Sequence, residues 1–380
     1  MQDTDPTTAS RIGDRSNDRI AQLTDWLRLQ EASGVGPFTA KLLFDAFGSP
    51  AAIFAAGHEA LAAHVSPGVA RALCAPPPPS IPPLLDAALA WAAQPGQDVL
   101  ALGDPGYPQA LAAIPDPPLL LYIKGQARLL GQRALAIVGS RNATVQGKAN
   151  ASSFARCLSQ DGVCIVSGLA LGIDAAAHEG ALDGAGSTIA VVGTGPDVIY
   201  PTRNRGLWAR IARSGCIVSE YPPGTAPSAS NFPKRNRIIS GLSAGVLVVE
   251  AAARSGSLIT AHVAIDQNRD VFAMPGSIHA PLAKGCHKLI REGARLVDSI
   301  DDLRDVLALA PRPPAPAGSL PTETTCLGLL AHLGHEPVDI DTLLLRSGST
   351  VGALSLELLA LEMAGLLERL PGGKVQRVVA

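Results

Sequence analysis

Seven strand-like runs between residues 134 and 297 share the property that most restricts the fold: apolar residues follow one another without alternation. They are Ala134-Leu-Ala-Ile-Val-Gly, Gly162-Val-Cys-Ile-Val-Ser-Gly, Thr188-Ile-Ala-Val-Val-Gly, Cys216-Ile-Val-Ser-Glu, Gly245-Val-Leu-Val-Val-Glu, Asp270-Val-Phe-Ala-Met-Pro and Ala294-Arg-Leu-Val. A strand with water on one face alternates apolar and polar residues, so continuous Val/Ile runs mean strands covered on both faces. Helical stretches fall between them, near 145–160, 172–184, 204–213, 234–243, 257–268 and 284–292. Strands of this kind alternating with helices predict an α/β fold, a doubly wound and mostly parallel sheet with right-handed crossovers.

In such a sheet ligands bind beyond the carboxyl ends of the strands, where loops feed helix N-termini. Every informative motif lies there. Val138-Gly-Ser-Arg ends the first run, with Ser140 as a hydrogen-bond donor and Arg141 as a planar fork suited to phosphate. Ser167-Gly-Leu-Ala-Leu-Gly-Ile-Asp ends the second, so free amides at the start of the following helix are expected to point at an anion. Asn231-Phe-Pro-Lys-Arg-Asn-Arg is the densest cationic cluster; it offers Lys234, Asn236 and Arg237 next to Phe232. Cations for phosphate beside an aromatic face for a base is the chemistry of single-strand binding. Helical spacing sends Arg235 and Arg237 to different sides. Ser255 and Gly256 form a third small-residue loop, and Lys284 is a candidate at the rim.

The flanks read differently. Residues 18–95 are expected to be a small helical domain of sterile-alpha-motif or helix-hairpin-helix type, because Gly34-Val-Gly-Pro-Phe opens a helix as a hairpin loop would. The core is expected over 96–310. Residues 318–380 read helix, helix, longer helix and a hairpin turning at Pro371-Gly-Gly-Lys, the order of a winged helix. The prolines of Ala75-Pro-Pro-Pro-Pro-Ser-Ile-Pro-Pro and of 311–318 are expected to be extended linkers.

Composition excludes several classes. No apolar run reaches the roughly 18 residues a membrane helix needs, and Met1-Gln-Asp-Thr-Asp lacks the pattern of a signal peptide, so a cytoplasmic protein is expected. The six scattered cysteines form no CxxC, and His262, His279 and His287 share no ligand spacing, so neither zinc nor any other metal is expected. There is no GxxxxGK[ST] or GxGxxG, and the one GxSxG spelling, Gly241-Leu-Ser-Ala-Gly, precedes a strand run instead of following one and so makes no nucleophile elbow; hence no cofactor and no catalytic residue is assigned. Asp174 and His178 stand four apart, but a capping Asp with a packed His is the ordinary arrangement. Charge is uneven. Residues 134–300 carry 16 Lys/Arg against 11 Asp/Glu, while 1–95 carry 6 against 9 and 318–380 carry 4 against 7. An anionic partner would choose the centre.

Taken in order, these motifs resemble the DNA-processing protein A (DprA, also called Smf) family. The resemblance rests on Ala136-Ile-Val-Gly-Ser-Arg, Ser167-Gly-Leu-Ala-Leu-Gly-Ile-Asp-Ala-Ala-Ala-His, Tyr200-Pro with Asn204, and Ser219-Glu-Tyr-Pro-Pro-Gly. Phe232-Pro-Lys-Arg-Asn-Arg-Ile-Ile, Val248-Val-Glu-Ala with Ser255-Gly-Ser-Leu-Ile-Thr-Ala, and Pro275-Gly complete it. It implies a Rossmann-like core that forms a homodimer and binds single-stranded DNA, with Ser140, Arg141, Ser167, Gly168, Phe232, Lys234, Asn236, Ser255 and Gly256 as the matching contact candidates. It also implies a mediator that protects incoming strands in natural transformation and loads a RecA-type recombinase, with no catalysis. Two positions depart from the family pattern: Leu171, where many members carry a basic residue, and His287, where Asn is frequent. The alternative is a nucleotide-handling enzyme of the lysine-decarboxylase-like, phosphoribohydrolase type. Its Pro-Gly-Gly-x-Gly-Thr loop does not occur in the core.

Overall fold

The structure, a computed structural model, describes residues 6–309, 327–333, 337–370 and 372–378, with side chains described from residue 17 and, in the C-terminal region, from residue 329. Its centre is a nine-stranded sheet: β1 (Gln97–Ala101), β2 (Leu120–Gly125), β3 (Ala134–Val138), β4 (Cys164–Ser167), β5 (Thr188–Val191), β6 (Cys216–Ser219), β7 (Gly245–Val248), β8 (Asp270–Ala273) and β9 (Arg295–Leu296). The order across the sheet is β1-β2-β6-β5-β4-β3-β7-β8-β9. From β6 to β9 all neighbours are parallel, while β2 runs antiparallel to β6 and β1 antiparallel to β2. The expected α/β fold with a mostly parallel sheet is what the chain adopts.

The missing alternation has a direct cause. Along β3, Ala134, Ala136 and Val138 face one apolar cluster and Leu135 and Ile137 face another. Successive strand residues point to opposite faces, so a strand covered on both must be apolar throughout. One face is covered by the helices Val145–Gln160 and Ile173–Ala181, through Ala151, Ala155, Leu158 and Ala177. The other is covered by Asn231–Gly241 and Ser257–Asp266, through Ile238, Ile239, Leu258 and Ala261. Leu23, Trp26 and Leu27 of the N-terminal helix Pro6–Glu31 belong to that same cluster, so the N-terminal helices share a core with the sheet.

The proline-rich stretch at 75–83 is only partly a linker. The helix Ile81–Ala92 begins inside it, and Pro82 and Pro83 occupy its first turn. First-turn amides have no intrahelical acceptor, so proline loses nothing there. The expected linker at 311–318 lies outside the described residues.

At the C-terminus the helices Leu327–Leu333, Ile340–Ser347 and Val351–Met363 pack with a small sheet of β10 (Val338–Asp339), β11 (Leu367–Leu370) and β12 (Lys374–Arg377), ordered β10-β12-β11. Its core is its own, built on Leu333, Leu343, Leu354, Leu361 and Val375. This is a winged helix. Pro371 of the expected turn lies outside the described residues, and Gly372 and Gly373 hold positive φ there (85° and 72°). The domain touches the core where Glu368 Oε2 accepts from the Val145 amide at 2.9 Å. Among the described residues no single helix is long and apolar enough to cross a membrane.

Candidate nucleic-acid interface

Leaving β3, the chain winds outward through β4, β5 and β6, then returns to place β7 on the other side of β3. The loops after β3 and β7 therefore diverge, and a crevice opens between them. It holds a cleft of about 420 Å³. Gly139, Ser140, Arg141 and Asn142 line it from β3, and Ser255, Gly256 and Ser257 from the loop after β7. The Asn231–Gly241 helix supplies Phe232, Arg235, Asn236 and Ile239. Those four are spaced i, i+3, i+4 and i+7, one face of a helix.

Backbone bonds hold the two loops together. The Ser140 amide donates to the Glu250 carbonyl at 2.7 Å, and the Ile173 amide to the Ser140 carbonyl at 3.2 Å. The Glu250 carboxylate accepts from the Thr144 amide (3.0 Å) and hydroxyl (2.6 Å), and the Thr144 hydroxyl oxygen caps Gly147 of the next helix at 2.9 Å. The loop that carries Arg141 is thus fixed at both ends, while Arg141 itself is exposed. Its guanidinium has no hydrogen-bond or ion-pair partner among the described residues.

Six expected contacts meet in this cleft: Ser140, Arg141, Phe232, Asn236, Ser255 and Gly256. Ser255 and Ser257 share a hydroxyl contact of 2.8 Å, and open space lies in front of Gly256. Phe232 carries the exposed ring of Tyr200 at 5.3 Å between centroids, which extends its aromatic surface outward.

The other five lie elsewhere. Ser167 is fully buried, and its hydroxyl donates to the Ile137 carbonyl at 2.7 Å, a bond between strands. Gly168 lies behind the cleft wall, against Arg235. Lys234 and Arg237 face the opposite side of their helix, toward a second cavity. Arg237 is paired there with Glu220 (2.7 Å) and Asp116 (3.2 Å). Lys284 is exposed, with its ammonium bonded to the Ile278 carbonyl.

The loop after β4 also differs from expectation. Its amides are not open to a ligand, because the Asp174 carboxylate accepts from Gly168 (3.2 Å) and Ala170 (3.3 Å). Asp174 and His178 do not form an acid/base pair. His178 is buried; its Nε2 accepts from the Leu169 amide at 3.3 Å and its Nδ1 lies 2.7 Å from the Thr188 hydroxyl. Thr188 donates its own proton to Ile165 O, so Nδ1 carries the imidazole proton and the ring is neutral. Burial, helped by Arg235, lowers its pKa to about 3.

Arg235 is the residue that sequence reasoning left out of the site. Its buried guanidinium donates to the carbonyls of Gly168 and Val191 (3.0 Å) and lies 5.2 Å from the centre of the Phe232 ring. Its Nε has no partner within the protein among the described residues. Burial lowers the guanidinium pKa to about 10, against the pull of Asp174. The same burial pushes the Asp174 carboxyl up, while Arg235 and the two amides favour its charged form. The signal was present in the sequence, since Phe232 and Arg235 stand i, i+3.

Residues 98–308 match the family model of DNA recombination-mediator protein A, and residues 310–373 match the DprA winged helix domain. The chain belongs to the DprA family. The Smf protein of Escherichia coli is 41% identical over 301 residues, covering 77% of this chain and 80% of its own. DNA processing protein DprA of Streptococcus pneumoniae is 50% identical over 200 residues, 53% of this chain and 71% of its own. The solved DprA from S. pneumoniae superimposes with a TM-score of 0.62 at 36% identity, covering 76% of this chain and 99% of that one. DNA processing protein A from Helicobacter pylori, described for its single-stranded DNA binding mode, gives 0.52 at 33% identity over 56% of this chain and 95% of that one.

Proposed function

We propose that the protein binds single-stranded DNA in the cleft between the β3 and β7 loops. In this reading it is a cytoplasmic, non-enzymatic mediator that protects incoming strands and loads a RecA-type recombinase in natural transformation and recombination. Arg141 carries the reading. An exposed, unpaired guanidinium on a loop held at both ends is a ready phosphate contact, and its cleft also has an aromatic wall in Phe232. Cations beside stacking faces suit a flexible strand, whose bases are free to lie on a ring. The H. pylori relative supports the choice of ligand.

The absence of catalysis is part of the proposal. What supports it is the engagement of Asp174 by two amides and of both His178 nitrogens by the fold. Transfer of the strand to a recombinase rests on family membership, since the family is described as a recombination mediator, and pairing of two copies rests on the family resemblance of the sequence motifs alone. The winged helix is assigned no duplex reading. Its Val351–Met363 helix holds Glu357 and Glu362 and no Lys or Arg, whereas a helix entering a major groove presents cations and base-reading side chains.

Titration with fluorescent oligo-dT and with a duplex of equal length, at several salt concentrations, tests the reading. Preference for the single strand, with affinity falling as salt rises, is expected. Equal affinity for both, no binding, or release of free base from a nucleotide overturns it.

A further inference from the structure

On the far side of the Asn231–Gly241 helix a larger cavity, about 780 Å³, lies between the core and the N-terminal helices. It falls within the size range of roughly 300–1,000 Å³ typical of ligand clefts. The two spaces are adjacent, because Pro233 lines both. Lys234 follows Pro233 and is exposed at this second cavity. Across it stand Gly36, Pro37 and Phe38, where the helix Pro37–Phe47 begins. Phe38 is 62% exposed, although Ala40 and Leu43 of the same helix are fully buried. Folding therefore gains little from this ring, which presents an aromatic face to a cavity adjacent to the proposed strand cleft.

We propose that this cavity is a second segment of the single-strand track. The strand passes over Pro233, sets a phosphate near Lys234 and stacks a base on Phe38. The inference rests on the strand-binding reading of the first cleft and extends it to the N-terminal helices. The charges set the character of the contact. Arg237 neutralises Glu220 and Asp116, which leaves Lys234 as the unpaired lining cation among the described residues. Asp266, exposed on the same lining, has no cation partner among them and opposes a phosphate. Stacking on Phe38 therefore carries the contact more than charge does, and stacking tolerates any base.

The test compares the full chain with Phe38→Ala and Phe38→Trp, using a short oligo-dT of about six nucleotides and a long one of about twenty, lengths chosen around the order-of-magnitude site sizes of single-strand binders. Wild type is expected to bind the long strand more tightly. Phe38→Ala is expected to lose about tenfold on the long strand and nothing on the short one, as deletion of one stacked base implies, with an unchanged slope against salt. Phe38→Trp should retain the long-strand affinity, and both variants should melt with wild type, since the ring is exposed. Phe38→Ala binding both strands as wild type does, or losing equally on both, overturns the second segment and leaves the first cleft standing. Failure of wild type to bind either length overturns both.

Discussion

The guanidinium of Arg235 lies against the peptide of Gly168, so close that a Cβ on residue 168 would sit 2.7 Å from Arg235 Nη2 and 3.0 Å from Asp174 Oδ2. Neither neighbour can withdraw, because Arg235 is held by two carbonyls and Asp174 by two amides. Gly168→Ala is expected to destabilise the fold by about 1–3 kcal/mol, the usual cost of overpacking. It should also weaken strand binding by displacing Arg235 from the cleft wall. Urea denaturation and oligo-dT titration of the same preparation measure both effects, and wild-type stability with wild-type affinity would refute the arrangement.

Arg141 is the opposite case, because its exposed side chain makes no hydrogen bond or ion pair among the described residues. Arg141→Ala is expected to weaken oligo-dT binding by about 1.5–3 kcal/mol, the range for a hydrogen bond to a charged group. The slope of log affinity against log salt should flatten by about 0.7, one phosphate contact on a single strand. The melting temperature should not change. The loss should be equal for strands of different sequence, since phosphates carry no base information.

Lys234 and Arg237 share one face of a helix and are expected to fail differently. Arg237→Ala leaves Glu220, itself largely buried, and the partly exposed Asp116 without their cation. Breaking such a pair should cost roughly 3 kcal/mol of stability. Lys234→Ala should leave denaturation unchanged and reduce only strand affinity and its salt dependence. Parallel urea curves and binding titrations separate the two.

His178 makes stability depend on pH. Its pKa falls from 6.5 to about 3 on folding, so between those values the unfolded chain binds the proton and the native one does not. Stability from this group is therefore fully present above about pH 6.5 and is lost as pH falls toward 3, by up to about 1.4 kcal/mol per pH unit. His178→Gln removes this dependence and, by disturbing the Leu169 and Thr188 bonds, is expected to cost about 1–3 kcal/mol at pH 7. Urea midpoints of both proteins from pH 7 to pH 4 should converge, because the difference between them isolates His178 from neighbouring carboxyls such as Asp174. Parallel curves would contradict the neutral, buried ring.

Local pattern determined most of the architecture. The continuous apolar runs specified a sheet covered on both faces, and the small residues at their ends marked the loops that line its cleft. The turn, cap and hairpin signals of the last sixty residues specified a winged helix. Each of these follows from side-chain periodicity along a single element, which is written into the order of residues. Helical periodicity also held the information that Phe232, Arg235 and Asn236 share a face and that Lys234 and Arg237 share another.

What the tertiary structure alone decided is which polar groups remain free for a ligand. Ser167, Asp174, His178 and Arg237 have the chemistry of contact residues, but each finds its partner in a segment remote in sequence or folded back upon it: Ile137 for Ser167, the Gly168 and Ala170 amides for Asp174, Thr188 for His178, and Glu220 with Asp116 for Arg237. A buried polar group must be satisfied somewhere, and where is a matter of neighbours that only the folded chain brings together. By the same logic Arg141 is left without a hydrogen bond or ion pair among the described residues, because the Asp174 carboxylate in its cleft is engaged by the Gly168 and Ala170 amides, and Arg235 is buried because strands β4 and β5 end beside it.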